Sequence, residues 1–165
     1  MSQAAGARRS SRLLSLRDTA RTMSENVEVV RRFIEALPRA QASDDWQPVL
    51  AEVDPDVEIV DLDITLDTGH FRGHDSVRKW IGVWMESWES WSLEDVQVRP
   101  VGEDRAIGLF LVHAKGKGSG IELSRRDALV CTLRAGKIEK GTYYNDQQQA
   151  LEAVGLSDQG AHADS

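Results

Sequence analysis

A histidine and an aspartate on neighbouring predicted strands, His113 and Asp127, are of the types that most often move protons in enzymes. The two-residue alternation of a strand places Asp127 on the same face as Leu129 and Cys131. The same alternation places His113 on the face of Leu111. Burial on an apolar face raises the pKa of a carboxylic acid toward the range useful near neutral pH. Asp127 is therefore a candidate general acid or base.

Each of these two residues also has a purely structural interpretation. Arg125 lies on the same predicted face as Asp127, so an ion pair at the rim of a sheet would explain both charges. His113 would then be a strand-end histidine whose ring has local partners. The residues alone leave both interpretations open.

Four of the five tryptophans lie between Trp80 and Trp91. Trp80, Trp84 and Trp88 have the spacing i, i+4 and i+8, which places them on one side of a helix. Such a stripe is typical of core packing or of a subunit contact. It also favours an aromatic wall for a flat hydrophobic ligand, and a cavity wall is itself part of a core.

The sequence predicts neither a metal site nor a phosphate site. His70, His74 and His113 are too scattered for a metal-binding motif, and the single Cys131 excludes a thiolate cluster. The segment Gly116–Gly120 lacks the Walker spacing and joins two predicted strands, so we interpret it as a hairpin turn. We therefore expect no cofactor.

Charge and hydropathy exclude several classes of protein. The chain of 165 residues has 27 acidic and 20 basic residues and a net charge of −7, unlike the basic footprint of a nucleic-acid binder. The apolar run 106–112 is far too short to cross a bilayer. We predict a cytoplasmic protein without a nucleic-acid or membrane partner.

Composition also divides the chain into three parts. Residues 1–22 contain five arginines and one acid, whereas residues 157–165 are small and polar. The apolar material of a core lies between them. We predict a disordered arginine-rich leader over 1–23, one domain over 24–156, and a disordered tail over 157–165.

Hydrophobic periodicity predicts helices first and strands afterwards. Val30, Ile34 and Leu37 predict a first helix that ends at Pro38. A short second helix around Trp46, a strand over 57–64 and a third helix from Ser76 follow. Four antiparallel strands are then predicted over 93–101, 105–115, 121–133 and 137–145. A closing helix over 146–154 completes an α+β fold, because helices and strands are segregated along the chain.

Several short motifs carry a resemblance to a known superfamily. They lie at residues 29–37, 54–58, 71–77, 136–138, 143–144 and 146–156. The chain resembles the nuclear transport factor 2 superfamily and, within it, the SnoaL-like proteins, which are named after a polyketide cyclase. The resemblance implies a cone-shaped α+β fold, with three N-terminal helices on the concave face of a curved antiparallel sheet. It also implies an apolar pocket and a homodimer formed through the outer face.

The ketosteroid isomerases of this superfamily imply one set of roles. Their proton-shuttling aspartate corresponds to Asp61. Their helix-one tyrosine corresponds to Phe33, which has no hydroxyl, and their oxyanion-holding acid aligns best with Leu129. Since both oxyanion donors are missing, the resemblance argues against a ketosteroid isomerase.

The polyketide cyclases imply a better-matching set. In them a strand aspartate is the general acid/base and a histidine lies on the adjacent strand, which corresponds to Asp127 with His113 to orient or assist it, and Asp61 in reserve. The expected pocket residues are Phe33, Trp84, Arg125, Leu129 and Tyr143. The predicted function is a cofactor-free isomerase or aldol cyclase acting on a hydrophobic carbonyl compound. The alternatives are a non-catalytic small-molecule binder and a dimerising accessory protein.

Overall fold

The computed structural model describes residues 2–62 and 69–156, with side chains described from Leu16 onward. Its first helix begins within the segment expected to be a leader. The predicted tail, 157–165, lies outside the described residues. The division of the chain at residues 23 and 156 therefore stays a prediction.

The described residues form helices on both sides of a sheet. The helices are α1 (Ser2–Ser43), α2 (Gln47–Leu50), α3 (Ser76–Met85) and α4 (Gln147–Ala153). The strands are β1 (Val53–Asp61), β2 (His70–Arg72), β3 (Trp88–Val101), β4 (Arg105–Gly116), β5 (Glu122–Arg134) and β6 (Lys137–Tyr144). The predicted α+β class is confirmed.

The sheet joins the strands in the order β2-β1-β6-β5-β4-β3. Strands β3 to β6 form the predicted antiparallel series, because each follows its neighbour through a short turn. The pairing of β1 with β6 is parallel, which differs from a wholly antiparallel sheet. This parallel pairing sets Asp61, the last residue of β1, directly beside Tyr143.

Helix α1 continues through Pro38 to Ser43, so the predicted end at the proline is wrong. A proline inside a helix removes one backbone hydrogen bond and crowds the preceding turn. Leu37 and Ala40, which lie on either side of Pro38, are both buried against the rest of the molecule. Tertiary packing of this last turn outweighs the local preference of the proline.

The tryptophan stripe is divided between two elements. Trp80 and Trp84 lie on α3, as predicted, but Trp88 is the first residue of β3. Strand β3 thus begins five residues before the predicted Leu93. Ser90 and Trp91 pair with Lys115 and Ala114 of β4, and this non-local pairing extends the strand beyond what its own pattern indicates.

The main core lies between α1, α3 and one face of the sheet, which we call the inner face. Phe33 and Ile34 of α1 pack there against a surface that includes Val112, Leu129 and Cys131. Burial raises the pKa of the Cys131 thiol, so this thiol stays protonated.

The other face of the sheet, the outer face, is partly covered by α4. Ala150 and Leu151 pack on Ile107 and Val130 in a second, smaller cluster. The closing helix predicted over 146–154 is thus observed, and Asp146 caps its start by accepting hydrogen bonds from the backbone of Gln148 and Gln149. The homodimer expected through the outer face stays a prediction. Within the described residues, no helix is long and apolar enough to cross a membrane.

A close approach of α1 to the sheet depends on Gly108. A Cβ atom placed on Gly108 would lie 2.3 Å from Cδ1 of the buried Ile34. We expect Gly108→Ala to lower the free energy of unfolding by about 1–3 kcal/mol, because either Ile34 or the helix must move. Urea denaturation measures this loss.

A glycine with open surroundings provides the control for this prediction. Gly82 lies on α3, and nothing lies within 4 Å of a Cβ atom built there. Gly82→Ala should raise stability by up to about 1 kcal/mol, since alanine is the better helix former. Unchanged stability of Gly108→Ala would contradict the proposed close contact.

Candidate functional site

A row of side chains crosses the inner face at the level where β1 ends. The sheet pairs Leu129 of β5 with Tyr143 of β6, and Tyr143 with Asp61 of β1. Directly paired residues project from the same face of a sheet. Asp61 and Tyr143 are therefore neighbours on the inner face, although 82 positions separate them in the chain.

A cavity lies over this row, between α1, α3 and the inner face. Its lining consists of Leu37, Asp61, Trp80, Ile81, Trp84, Trp91, Leu93, Phe110 and Tyr143. The space free of atoms amounts to about 340 Å³, open solvent included, and the centre of a water molecule can occupy about 20 Å³ of it. The cavity is thus narrow, apolar and aromatic.

Asp61 is the one carboxylate among these lining residues. Its side chain is buried, with 4% of the residue exposed. Trp80 Nε1 donates a hydrogen bond to Asp61 Oδ2 at 2.7 Å. This bond holds one carboxylate oxygen in a fixed direction inside an apolar space, which is the setting of a proton-transfer group.

Asp127 lies deeper, at the end of a hydrogen-bonded chain that begins at the cavity. It is fully buried and does not contribute to the lining. Arg125 contacts both of its carboxylate oxygens, through Nε at 2.6 Å and a terminal nitrogen at 3.0 Å. The Tyr143 hydroxyl donates to Oδ2 of the same carboxylate. The ion pair with Arg125 that the sequence left open is therefore present.

Tyr143 connects this buried ion pair to the cavity. Burial, followed by the negative charge of Asp127 and the hydrogen bond to it, raises the pKa of Tyr143 well above its ordinary value of 10. The hydroxyl therefore keeps its proton and directs it at Asp127. The ring lies on the cavity side, where it meets Trp80 edge to face with 5.5 Å between the centroids.

His113 lies on the opposite face of the sheet from Asp127. In the register of β4 and β5, Phe110 pairs with Asp127, whereas His113 pairs with Ser124. His113 is three residues along from Phe110, an odd number, so its side chain projects from the outer face. There it is half exposed and contacts Glu94 at 3.2 Å. The prediction that His113 orients or assists Asp127 is wrong, because the two side chains project from opposite faces of the sheet.

The other predicted pocket residues have different positions. Trp84 and Tyr143 line the cavity, whereas Phe33 and Leu129 are buried in the core beside it. Arg125 holds Asp127 rather than lining the cavity. Asp61, the reserve candidate, is the predicted carboxylate that borders the cavity.

Several cavity residues were not predicted. The alternation along β4 places His113 and Leu111 on one face and Phe110 on the other. The sequence pattern could therefore have placed Phe110 on the face of the cavity. Trp91 lies two residues before Leu93, so both share one face of β3. A predicted β3 that began before Leu93 would have included Trp91 among the cavity residues. Nothing in the sequence pattern identifies Leu37, since its place in the lining depends on how α1 crosses the sheet.

Two tryptophans of the cavity lining have hydrogen-bond donors that no described residue uses. The Nε1 atoms of Trp84 and Trp91 are both buried, and neither has a hydrogen-bond partner among the described residues. Their rings meet edge to face, with centroids 6.4 Å apart. A buried indole N–H usually finds an acceptor, so these two donors are an exception that requires an explanation.

Metal binding by the described residues can be judged from their potential ligands. No group of three or more histidine, cysteine, aspartate or glutamate side chains in residues 2–62 and 69–156 could hold a metal ion. The expectation that the protein works without a cofactor stays a prediction.

Comparison with known proteins identifies the architecture. No protein-family model matches the chain, and no curated protein matches its sequence. A nuclear transport factor 2-like protein of unknown function from Burkholderia pseudomallei superposes with a TM-score of 0.62 at 21% identity, covering 80% of this chain and 98% of that one. This chain has the nuclear transport factor 2-like fold. The fold implied by the resemblance is confirmed.

Two further structures of this fold are similar to the chain. One is a protein from Xanthomonas campestris provisionally named a polyketide cyclase, with a TM-score of 0.62 at 19% identity over 81% of this chain and 98% of that one. The other is TerC, co-crystallised with polyporic acid, with a TM-score of 0.61 at 16% identity over 79% and 98%. At these identities the likeness concerns the nuclear transport factor 2-like fold alone.

Proposed function

We propose that this protein catalyses cofactor-free proton transfer on a hydrophobic carbonyl compound, as an isomerase or aldol cyclase, with Asp61 as the general acid/base. One observation carries the proposal: Asp61 is a buried carboxylate that borders an apolar cavity. The acid/base role moves to it from Asp127, whose carboxylate is engaged by Arg125 and Tyr143 behind the lining. His113, on the outer face, has no part in the reaction.

The chemistry needs one carboxylate and no other reagent. The Asp61 carboxylate takes a proton from the carbon next to the carbonyl group, and the C–H electron pair becomes an enolate. In an isomerisation, the same group returns the proton to another carbon of the enolate. In an aldol closure, the enolate carbon bonds to a second carbonyl carbon, and the alkoxide formed takes the proton from Asp61. An apolar cavity favours these steps, because little water competes for the charged groups.

The surrounding residues keep Asp61 in place for this reaction. Trp80 holds one oxygen of the carboxylate at 2.7 Å, which fixes the orientation of Asp61 in the cavity wall. Arg125, Asp127 and Tyr143 are positioning residues, since their hydrogen-bonded chain fixes the ring of Tyr143 in the cavity wall. A site held on strands and packed aromatic rings can align a ligand closely.

The structural neighbours support a hydrophobic ligand. One is provisionally named a polyketide cyclase, and another was crystallised with polyporic acid. In this chain the water-accessible part of the cavity is about 20 Å³, so a ring compound enters only if side chains of the lining move apart. Trp84 and Trp91 are half-buried residues of the lining, and they are the side chains that would move.

The test of the proposal is exchange of hydrogen for deuterium on a simple ring ketone. We expect the protein to accelerate deuterium incorporation at the carbon next to the carbonyl of 1-tetralone in D₂O, followed by proton NMR. His113→Gln should exchange at the rate of the unmodified protein, because His113 lies on the outer face. No exchange above the rate in buffer would contradict the proposed activity.

A non-catalytic binder of hydrophobic molecules is the second candidate. The observation in its favour is that Phe33 of α1 is a fully buried hydrocarbon, so that helix offers no hydroxyl to an oxyanion at this position. A binder would take up 1-tetralone without accelerating its exchange.

A further inference from the structure

We propose that the indole N–H groups of Trp84 and Trp91 bind the acceptor oxygen of the ligand, which identifies the ligand as a ketone or other carbonyl compound. This inference rests on the proposed function, and it adds the groups that recognise the carbonyl. The observation behind it is that the Nε1 atoms of Trp84 and Trp91 are buried and have no hydrogen-bond partner among the described residues. A buried donor that stays unpaired destabilises the protein, because it has lost its hydrogen bond to water and gained none in return.

The hydrogen-bond donors among the side chains of the cavity wall can be accounted for one by one. The lining contains four such groups, in Trp80, Trp84, Trp91 and Tyr143. The Trp80 indole donates to Asp61, and the Tyr143 hydroxyl donates to Asp127. Two donors remain, and they belong to Trp84 and Trp91. An acceptor atom on a ligand in this cavity therefore has these two side-chain donors to meet.

The positions of Trp84 and Trp91 also suit the binding of a carbonyl oxygen. They lie on α3 and β3, and they border the same cavity as Asp61. A ligand that places its acidic C–H at Asp61 can direct its oxygen toward the indoles. Negative charge grows on that oxygen when the proton leaves, and N–H donors in an apolar space stabilise such charge.

The experiment compares two compounds of similar shape, one with and one without the carbonyl group. Binding of 1-tetralone and of tetralin is measured by NMR titration of protein with ¹⁵N-labelled indoles. We expect the unmodified protein to prefer the ketone by roughly 3- to 10-fold, the effect of one net hydrogen bond. The ketone should shift the indole N–H signals of Trp84 and Trp91, and tetralin should shift them less.

Phenylalanine variants remove the donors and keep an aromatic ring. Trp84→Phe with Trp91→Phe should bind the two compounds equally, because loss of ring volume affects both alike. Trp88→Phe is the matched control: Trp88 packs against Trp84 with centroids 5.4 Å apart and the ring planes tilted by 31°, yet it does not line the cavity. This control should retain the preference for the ketone.

Three results would overturn the inference. They are an unchanged preference in the double variant, indole signals that respond equally to both compounds, and failure of both compounds to bind. The second would indicate that the donors are already satisfied by the face of a neighbouring indole. None of these readouts needs turnover, so a protein that prefers the ketone but does not exchange its hydrogen would refute the proposed function alone.

Discussion

Asp61→Asn should slow deuterium exchange into 1-tetralone by roughly 10²- to 10⁴-fold, the usual contribution of a general acid or base. An amide cannot accept the proton, whereas its carbonyl oxygen can still accept the hydrogen bond that Trp80 Nε1 donates at 2.7 Å. The variant should therefore fold and still bind the ketone. NMR measures the exchange rate, and circular dichroism checks the fold.

Two other aspartates make this test specific. Asp56→Asn changes an exposed side chain of the same strand, β1, and should leave the rate unchanged. Asp127→Asn tests the role that the sequence favoured; we expect a smaller loss, because Asp127 acts through Tyr143. If Asp127→Asn abolished exchange while Asp61→Asn retained it, the general acid/base would be Asp127.

Arg125→Leu should lower the free energy of unfolding by about 3–5 kcal/mol, because it leaves the charge of Asp127 buried without its partner. Asp127 is completely buried, and Arg125 supplies two of the hydrogen bonds to its carboxylate. Adding Asp127→Asn removes the unpaired charge and keeps an acceptor for Tyr143. The double variant should therefore recover most of the loss in urea denaturation.

An exposed ion pair is the control for this measurement. Arg134 contacts Glu139 at 3.6 Å, and the arginine side chain is 77% exposed. Arg134→Leu should change stability by less than about 1 kcal/mol, as is typical of surface pairs. If Arg125→Leu lowered the free energy of unfolding no more than Arg134→Leu did, the buried pair would not be stabilising the fold.

The fold was largely predictable because its elements are encoded locally. Period-two alternation predicts β4, β5 and β6 close to their observed bounds, and the closing helix predicted over 146–154 agrees with α4. The errors occur where distant contacts decide. Helix α1 passes through Pro38 because its last turn is buried.

The candidate site was less predictable than the fold. Alternation along one strand is enough to place Arg125 beside Asp127, since the two residues are separated by one position. Whether His113 joins them depends on the register between two strands, and a shift of one residue exchanges the faces of a strand. The register pairs Phe110 with Asp127, and it therefore places His113 outside.

By itself, the sequence determined the α+β class, the antiparallel series and the carboxylates that chemistry could use, because periodicity and residue type are local properties. The tertiary structure alone decided which carboxylate meets the cavity. The parallel pairing of β1 with β6 brings Asp61 to Tyr143, and α3 then covers both with Trp80. These contacts join segments far apart in the chain, and their geometry follows from how helices and sheet pack together.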